Sequence, residues 1–593
     1  MKSDDLSIHS LKAISPIDGR HHIMTKPLGE WFSEYALFKY RSHVEVEYLI
    51  ALSELEGFDA VRTFTKEEKD YLRSIIKEFS LEDAKIIQDI DRFGYNGAGP
   101  TNHDVKSVEY FIKMKLKGSS LEDVTEMVHF GLTSEDINNI AFDCMIHGAL
   151  QQHYIPSLVE LLDRLAEHAQ RERNTAMLSK THGQPATPTT FGKEMANYLE
   201  RLRIELINMA SMRLPAKLNG AVGNHNAQHF AAPEVDWIGF AERFTTKMGF
   251  SPNLMTTQIE PHDGLARLFN TFISINNILR DLSVDFWLYI SAGYMVQRKV
   301  AHEVGSSTMP HKINPWRLEV AEGSTVEANF KLMGFVNKLQ SSRLQRDCSD
   351  HEAQRAIGVG ISHSYLAVIH LIEELQRLQV NPARMIAELK DMGMILTEAV
   401  QTLLRKEGHD KPYELMKELS RGQQVTVADL HAFISRLDID TRTKEKILAL
   451  RPETYIGVAP RLVDIALCKW KEFKSKYKPP RPEVKKVILD CNALTAGIAT
   501  ELPALASTLR QRGLELVGID IPEKARAVFT GSINREQLSS EKHAIFIGAM
   551  DELFNKARDS GMICVNLEDV SRKKSEYNIF RLSEVTGILD SLE

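Results

Sequence analysis

The stretch Leu158–Leu165, "LVELLDRL", places leucines at 158, 161, 162 and 165. This is the i, i+3, i+4, i+7 spacing that lines one face of an α-helix. Similar patterns recur after residues 190, 263, 324 and 353, in long segments with few internal Gly or Pro. The middle of the chain therefore reads as a bundle of long helices, and the expected fold class is mainly α.

Residues with chemical character fall between those helical segments. They are "TNHDV" at Thr101–Val105, "GLTSED" at Gly131–Asp136, "SKTHGQPATPTT" at Ser179–Thr190 and "GSSTMPHKINP" at Gly305–Pro315. Connections carried on a rigid scaffold are where binding and catalytic groups concentrate. After Trp470 the texture changes. "KEFKSKYKPPRPEVKK" is rich in Lys and Pro and suits a solvated, semi-rigid linker. Beyond it "KVILD", "LELVGID", "HAIFIG" and "MICVNL" are short strand-like runs alternating with amphipathic stretches, which predicts a small α/β domain. The expected organisation is an N-terminal helical domain (1–120), a central long-helix bundle (121–380), a C-terminal helical domain (381–468), a linker (469–482) and the α/β domain (483–593).

Composition narrows the function classes. The 593 residues carry 73 Lys and Arg against 80 Asp and Glu, a net charge of −7, so there is no basic field to attract a nucleic-acid backbone. Five widely spaced cysteines fit reduced thiols in a cytoplasmic protein and predict no disulfide framework. The N-terminus places acids where an export signal has its apolar core. The longest uncharged run, Ala356–Ile372, is broken by Gly and Ser and is shorter than a bilayer span. Neither nucleic acid nor membrane is an expected partner.

Four separate connections supply His103, His129, His182 and His311 beside hydroxyl, amide or acidic residues. His225 and His229 have the spacing of a zinc pair, but no acidic base follows the first, and they read as structural. "NGAVGN" and "FGYNGAGP" lack the Lys-Ser/Thr of a phosphate loop and read as turns. The segment 305–315 combines hydroxyl, cationic and amide groups after a glycine. A loop of that kind can close over an anionic substrate, exclude water and bring a base to a carbon acid. Residue chemistry alone reaches a small-anion enzyme with His and Ser in its loops.

"GSSTMPHKINP" resembles the signature of the fumarase/aspartase superfamily. Within it, "SPIDGR", "TNHDVKSVEYF", "TSEDINN", "SKTHGQPATP", "GKEMAN", "GAVGN", "TTQIEPHD" and "SSRLQRD" resemble the bacterial-type adenylosuccinate lyase family over about residues 10–467. The resemblance implies a homotetrameric long-helix bundle with active sites shared between subunits, no metal or organic cofactor, and elimination of fumarate from a succinyl-amino purine or imidazole nucleotide. It implies Ser306 as the base, His182 as the acid and Glu319 as the residue holding His182. It places Thr133, Ser134, Ser307, Lys312 and Asn314 on the succinyl carboxylates. Asn102, His103, Asp104, His129 and Gln258 then orient substrate, and Arg20, Arg346 and Arg355 meet the phosphate. Three positions depart from the pattern: His21 replaces a Tyr, His351 a phosphate-binding Ser, and Val320 an Asn. A related lyase for another aspartyl adduct, or a retired lyase serving as a scaffold, remain the alternatives. The C-terminal domain resembles a haloacid-dehalogenase-like fold, with Asp490 in "VILDCNAL" at the nucleophile position. Asn492 and Ala549 stand where acids are expected, so it reads as degenerate, with a packing, assembly or regulatory role favoured over phosphatase activity.

Overall fold

The computed structural model describes residues 11–94, 97, 99–298, 309, 311–420 and 425–478, and then only the strand segments of the C-terminal part. Two units separate at residue 478/479. Ser306, Ser307 and Asn492 lie outside the described residues.

The first unit is helical. Helix α1 (Glu34–Ser53) starts at Ser33, whose hydroxyl accepts from Ala36 N at 3.1 Å. Then come α2 (Asp104–Leu116), α3 (Ser134–Ala149) and α4 (Ile155–Arg171). All four leucines at 158, 161, 162 and 165 on α4 are fully buried, as their spacing predicts. The long helices α5 (Phe191–Ser211), α6 (Asp263–Ser291) and α7 (Trp316–Leu339) are followed by a short α8 (His351–Arg355) and by α9 (Ile357–Arg377). Helix α7 packs between α6 and α9, and α5 packs along α4.

Gly192 permits that last approach. A Cβ there would lie 2.5 Å from Ala169 O and 2.7 Å from Arg173 N. A buried polar chain ties the bundle across its core: Tyr154 OH meets Ser364 Oγ at 2.8 Å, Ser364 donates to Asn276 at 2.5 Å, and Asn276 donates to Asn329 at 2.9 Å. Each group finds a partner, so the burial costs little. The run His351–Arg377 is apolar and long enough to cross a bilayer by composition, yet 78% of its most apolar window is buried in the protein, as a core helix should be.

"SKTHGQPATPTT" proves to be ordered rather than a plain connection. Strands β1 (Ala176–Thr181) and β2 (Gln184–Thr190) pair antiparallel, with Thr181 opposite Gln184. The two-residue turn is His182–Gly183, both at positive φ (+53° and +73°), the backbone that tight hairpins require. Ala176 and Leu178 of β1 belong to a second core with Leu389, Leu396, Val400 and Leu430, distinct from the main bundle core.

The expected linker also needs correction at its start. The helix Ala459–Lys476 runs through it, because Trp470 is buried and donates to Asp163 at 2.9 Å while Lys474 pairs with the same carboxylate at 2.6 Å. Trp470 and Phe473 of the helix and Tyr477 just past its end stack along one side.

The second unit contains a parallel sheet of β3 (Lys486–Asp490), β4 (Glu515–Ile519), β5 (Gly531–Ser532), β6 (Ala544–Gly548) and β7 (Ile563–Asn566). The order across the sheet is β7-β6-β3-β4-β5. The chain thus begins at the central strand, builds one half, and crosses back to build the other. Asp490 ends β3 opposite Ile519, and Gly548 ends β6 opposite Asn566.

Candidate active site

Helix α3 opens the site. Thr133 and Asp136 form a capping box, in which Thr133 N donates to Asp136 Oδ2 at 2.9 Å. Asp136 also accepts from Lys217 Nζ at 2.8 Å, Asn219 N at 2.9 Å and Gly220 N at 3.1 Å. Lys217 and Asp136 are both fully buried, so "TSED" and "NGAVGN" are locked to one another. The N-terminal turn of α3, with Ser134, is thereby held as a site suited to negative charge.

Around it runs a continuous charged network. Arg355 donates to Asp104 at 2.5 Å and also pairs with Glu34. Arg41 Nη1 donates to Asp104 Oδ2 at 2.7 Å, and its Nε to Asn138 Oδ1 at 2.8 Å. Asn138 donates to Glu135 at 2.7 Å, and Arg346 pairs with the same Glu135 oxygen at 2.7 Å. Arg346 Nη2 then meets His351 Nε2 at 3.4 Å. Burial alone would raise the Asp104 carboxyl, but Arg41 and Arg355 outweigh it and hold it down at about 2. His103 caps α2 by accepting from Lys106 N at 3.2 Å, and its Nε2 lies 3.4 Å from Ser134 Oγ.

His129 Nδ1 lies 2.5 Å from the buried Glu45. Burial disfavours the imidazolium, yet Glu45 lifts the ring above the ordinary histidine range. Gln258 donates from Nε2 to Ala221 O at 3.0 Å, which ties "TTQIEPHD" to "GAVGN". Asn102, His129 and His182 all adopt positive φ, at +48°, +64° and +53°. For residues with a Cβ this backbone costs on the order of 1–2 kcal/mol, and such strain gathers where side-chain direction matters.

One chain therefore gathers His103, Asp104, Ser134, Arg346, His351 and Arg355, with Thr133 capping the same helix. Several other described candidates stand apart from it. His182 is exposed at the hairpin tip, and no described residue hydrogen-bonds to its ring. Glu319 Oε1 accepts the indole N–H of Trp287 at 3.2 Å and does not touch His182. Lys312 is exposed and Asn314 half-buried just before α7. Arg20 is exposed, and His21 packs edge-on against His370, 6.1 Å between centroids. Val320 is half-buried on α7. Among the described residues no group of three or more His, Cys, Asp or Glu is placed to hold a metal.

The sequence does not single out Arg41, Glu135 and Asn138, which connect the cluster, or Glu45, which holds His129. Arg41 and Glu45 sit inside a helix, where charge usually means a solvated face, and only burial marks them out. Glu135 and Asn138 lie within "TSEDINN", three residues apart on one helix, but their contacts to Arg346 and Arg41 are ones that spacing does not reveal.

Two family models match the chain in sequence order, the lyase family over residues 19–328 and the adenylosuccinate lyase C-terminal family over 342–456. Adenylosuccinate lyase of Legionella pneumophila (strain Corby) is 41% identical over 459 residues, covering 77% of this chain and 99% of that protein. Adenylosuccinate lyase of Dictyostelium discoideum is 43% identical over 467 residues, covering 77% and 98%. The crystal structure of a fumarate lyase from Mesorhizobium sp. BNC1 superposes with a TM-score of 0.59 at 18% identity, covering 75% of this chain and 97% of that one, which bears on fold alone. With such identity spanning nearly the whole of each relative, the chain belongs to the adenylosuccinate lyase family.

Proposed function

We propose that the protein eliminates fumarate from adenylosuccinate or a similar succinyl-amino nucleotide, as a C–N lyase of purine biosynthesis. The observation that carries this reading is the Arg355–Asp104–Arg41–Asn138–Glu135–Arg346–His351 network, which sets three guanidinium groups, those of Arg355 and Arg346 among them, and a histidine beside the N-terminus of α3. Such a surface suits a substrate bearing both a phosphate and carboxylates.

In this reading Ser306 removes the proton from the carbon beside a succinyl carboxylate, and Thr133, Ser134, Ser307, Lys312 and Asn314 hold the carboxylates while negative charge builds. The C–N bond then breaks as His182 protonates the departing nitrogen, leaving fumarate and the nucleotide. Asn102, His103, Asp104, His129 and Gln258 orient substrate, and Arg20, His21, Arg346, His351 and Arg355 take the phosphate. His182 stands apart from the network in one chain, which supports a homotetramer in which His182 and Glu319 meet the network of another subunit. Exposed apolar residues on the long helices, Val284, Trp287 and Leu288 on α6 with Phe330 and Met333 on α7, supply faces for that assembly. A cytoplasmic location accords with this chemistry.

The lyase unit is assigned the divisions 1–120, 121–380 and 381–468. The unit beyond residue 482 is assigned a degenerate haloacid-dehalogenase-like fold with a non-catalytic role. Its first strand lies centrally, and Asp490 ends that strand. Val320 offers no side-chain hydrogen bond where the family has an Asn, which favours a different aspartyl adduct as the second reading.

The test is fumarate release from adenylosuccinate by the full-length protein, with His182→Ala, Ser306→Ala and a refolded mixture of the two. Turnover lost in each variant and regained in the mixture supports the assigned roles and shared sites. An inactive wild type that is folded moves the search to other aspartyl adducts.

A further inference from the structure

Behind the charged network is a buried cavity lined by Asn139 and Asp143 of α3, by Glu260 and His262, and by Gln354 of α8. Asp143 and Gln354 are each only 3% exposed, and Asp143 Oδ2 and Gln354 Oε1 have no hydrogen-bond partner. The other polar groups are provided for. Glu260 accepts from Asn253 Nδ2 at 2.8 Å and from His262 N at 2.6 Å. Gln354 spends its amide nitrogen on His262 Nε2 at 3.1 Å. Two buried oxygens, neither with a hydrogen-bond partner, therefore face one cavity. An unsatisfied buried acceptor costs about 1–3 kcal/mol, so such atoms in a native protein imply a partner.

The cavity offers about 10 Å³ to the centre of a water molecule, which is room for one. Gln354 lies on α8 between His351 and Arg355, which reach outward to Arg346 and to Asp104. We propose that Asp143 and Gln354 hold one water molecule between them, and that this link fixes α8 so that His351 and Arg355 are placed for the substrate's phosphate. Asp143 is in this sense a positioning residue, and the inference rests on the proposed function in taking α8 as a phosphate-binding element.

Two carboxyls line this cavity, and both cannot cheaply be charged there. Glu260 holds two donors, whereas Asp143 holds none. Burial, and secondarily the Glu260 charge, push Asp143 well above the ordinary carboxylate range. A proton-bearing Asp143 donates to the water, and the water donates on to Gln354. Asparagine, neutral and of the same shape with an N–H to give, should replace it, and leucine should not.

The experiment compares full-length wild type, Asp143→Asn and Asp143→Leu in two assays: KM and kcat for adenylosuccinate, and affinity for inorganic phosphate by calorimetry. Asp143→Asn should stay within about twofold in both. Asp143→Leu should raise KM and weaken phosphate binding by about tenfold while kcat changes little, because sub-ångström placement of the phosphate ligands is lost. Gln354→Met, which removes the acceptor while keeping its length, should repeat the leucine result and serves if Asp143→Leu does not fold. Leucine and methionine variants with wild-type phosphate affinity and KM would overturn the proposal. So would an asparagine variant as impaired as the leucine one, which would point to a charged Asp143 holding a cation. If the wild type binds phosphate but does not turn over adenylosuccinate, the substrate reading fails while the phosphate titrations still decide the role of Asp143. A wild type that binds no phosphate overturns both.

Discussion

Asp136→Asn should be among the most destabilising single changes at the site. The wild-type carboxylate takes Lys217 Nζ at 2.8 Å, Asn219 N at 2.9 Å, Gly220 N at 3.1 Å and Thr133 N at 2.9 Å. Both charges of the Lys217–Asp136 pair are fully buried. Replacing the carboxylate by an amide leaves an ammonium ion in the core without a counter-charge, and turns an amide N–H toward groups that only donate. Breaking a buried pair in this way costs about 3–5 kcal/mol. Removing both charges should cost much less, because the unpaired charge disappears with its desolvation penalty. The double variant Asp136→Asn/Lys217→Met should therefore recover a large part of the loss. Urea unfolding followed by far-ultraviolet circular dichroism measures both quantities. The reasoning is refuted if Asp136→Asn loses less than about 1 kcal/mol, or if the double variant is no more stable than the single one. Activity should fall alongside stability, since the same contacts hold Thr133 and Ser134 at the start of α3.

Two further outcomes follow from the geometry. The Asp104 carboxyl drops from 3.8 to about 2 in the folded protein, worth about 2 kcal/mol of stability. Because the folded value is depressed, that stability is complete above the unfolded value and is lost as pH falls through the folded one. Between about pH 4 and 2 the wild type should lose about 2 kcal/mol more than Asp104→Asn, and equal acid slopes would refute the role given to Arg41 and Arg355. Gly192→Ala should destabilise by at least about 1–3 kcal/mol, because the new methyl meets backbone atoms of Ala169 and Arg173 that cannot rotate away. A melting temperature unchanged from wild type would show that α4 and α5 can separate without cost.

The long helices were legible because burial imposes a period on the chain. Leu158, Leu161, Leu162 and Leu165 declare their helix and its buried face from spacing alone, and all four are buried. The strands of the C-terminal unit were legible as short β-branched runs between turn residues, and "KVILD", "HAIFIG" and "MICVNL" each contain one. Two local readings failed for definable reasons. The hairpin around His182–Gly183 reads in the sequence as a connection because its strands carry few of the apolar residues that announce a strand. The end of the helix Ala459–Lys476 is hidden in the sequence because the lysines and prolines around it outweigh Trp470, whose burial against α4 depends on contacts distant in sequence.

By itself the sequence determined the mainly helical class, the family, and the segments from which site residues are drawn, because periodicity and local motifs are properties of neighbouring residues. It could not determine how those segments meet. Arg41 joins Asp104 to Asn138, Glu135 joins its helical neighbour Asn138 to Arg346, and Lys217 locks Asp136, so that segments tens of residues or more apart in sequence meet. Only the tertiary structure decided which charges face one another and which are stripped of water. That removal of water makes an ion pair or an orphaned carboxyl consequential, since the same residues in solvent would be screened and nearly free of one another.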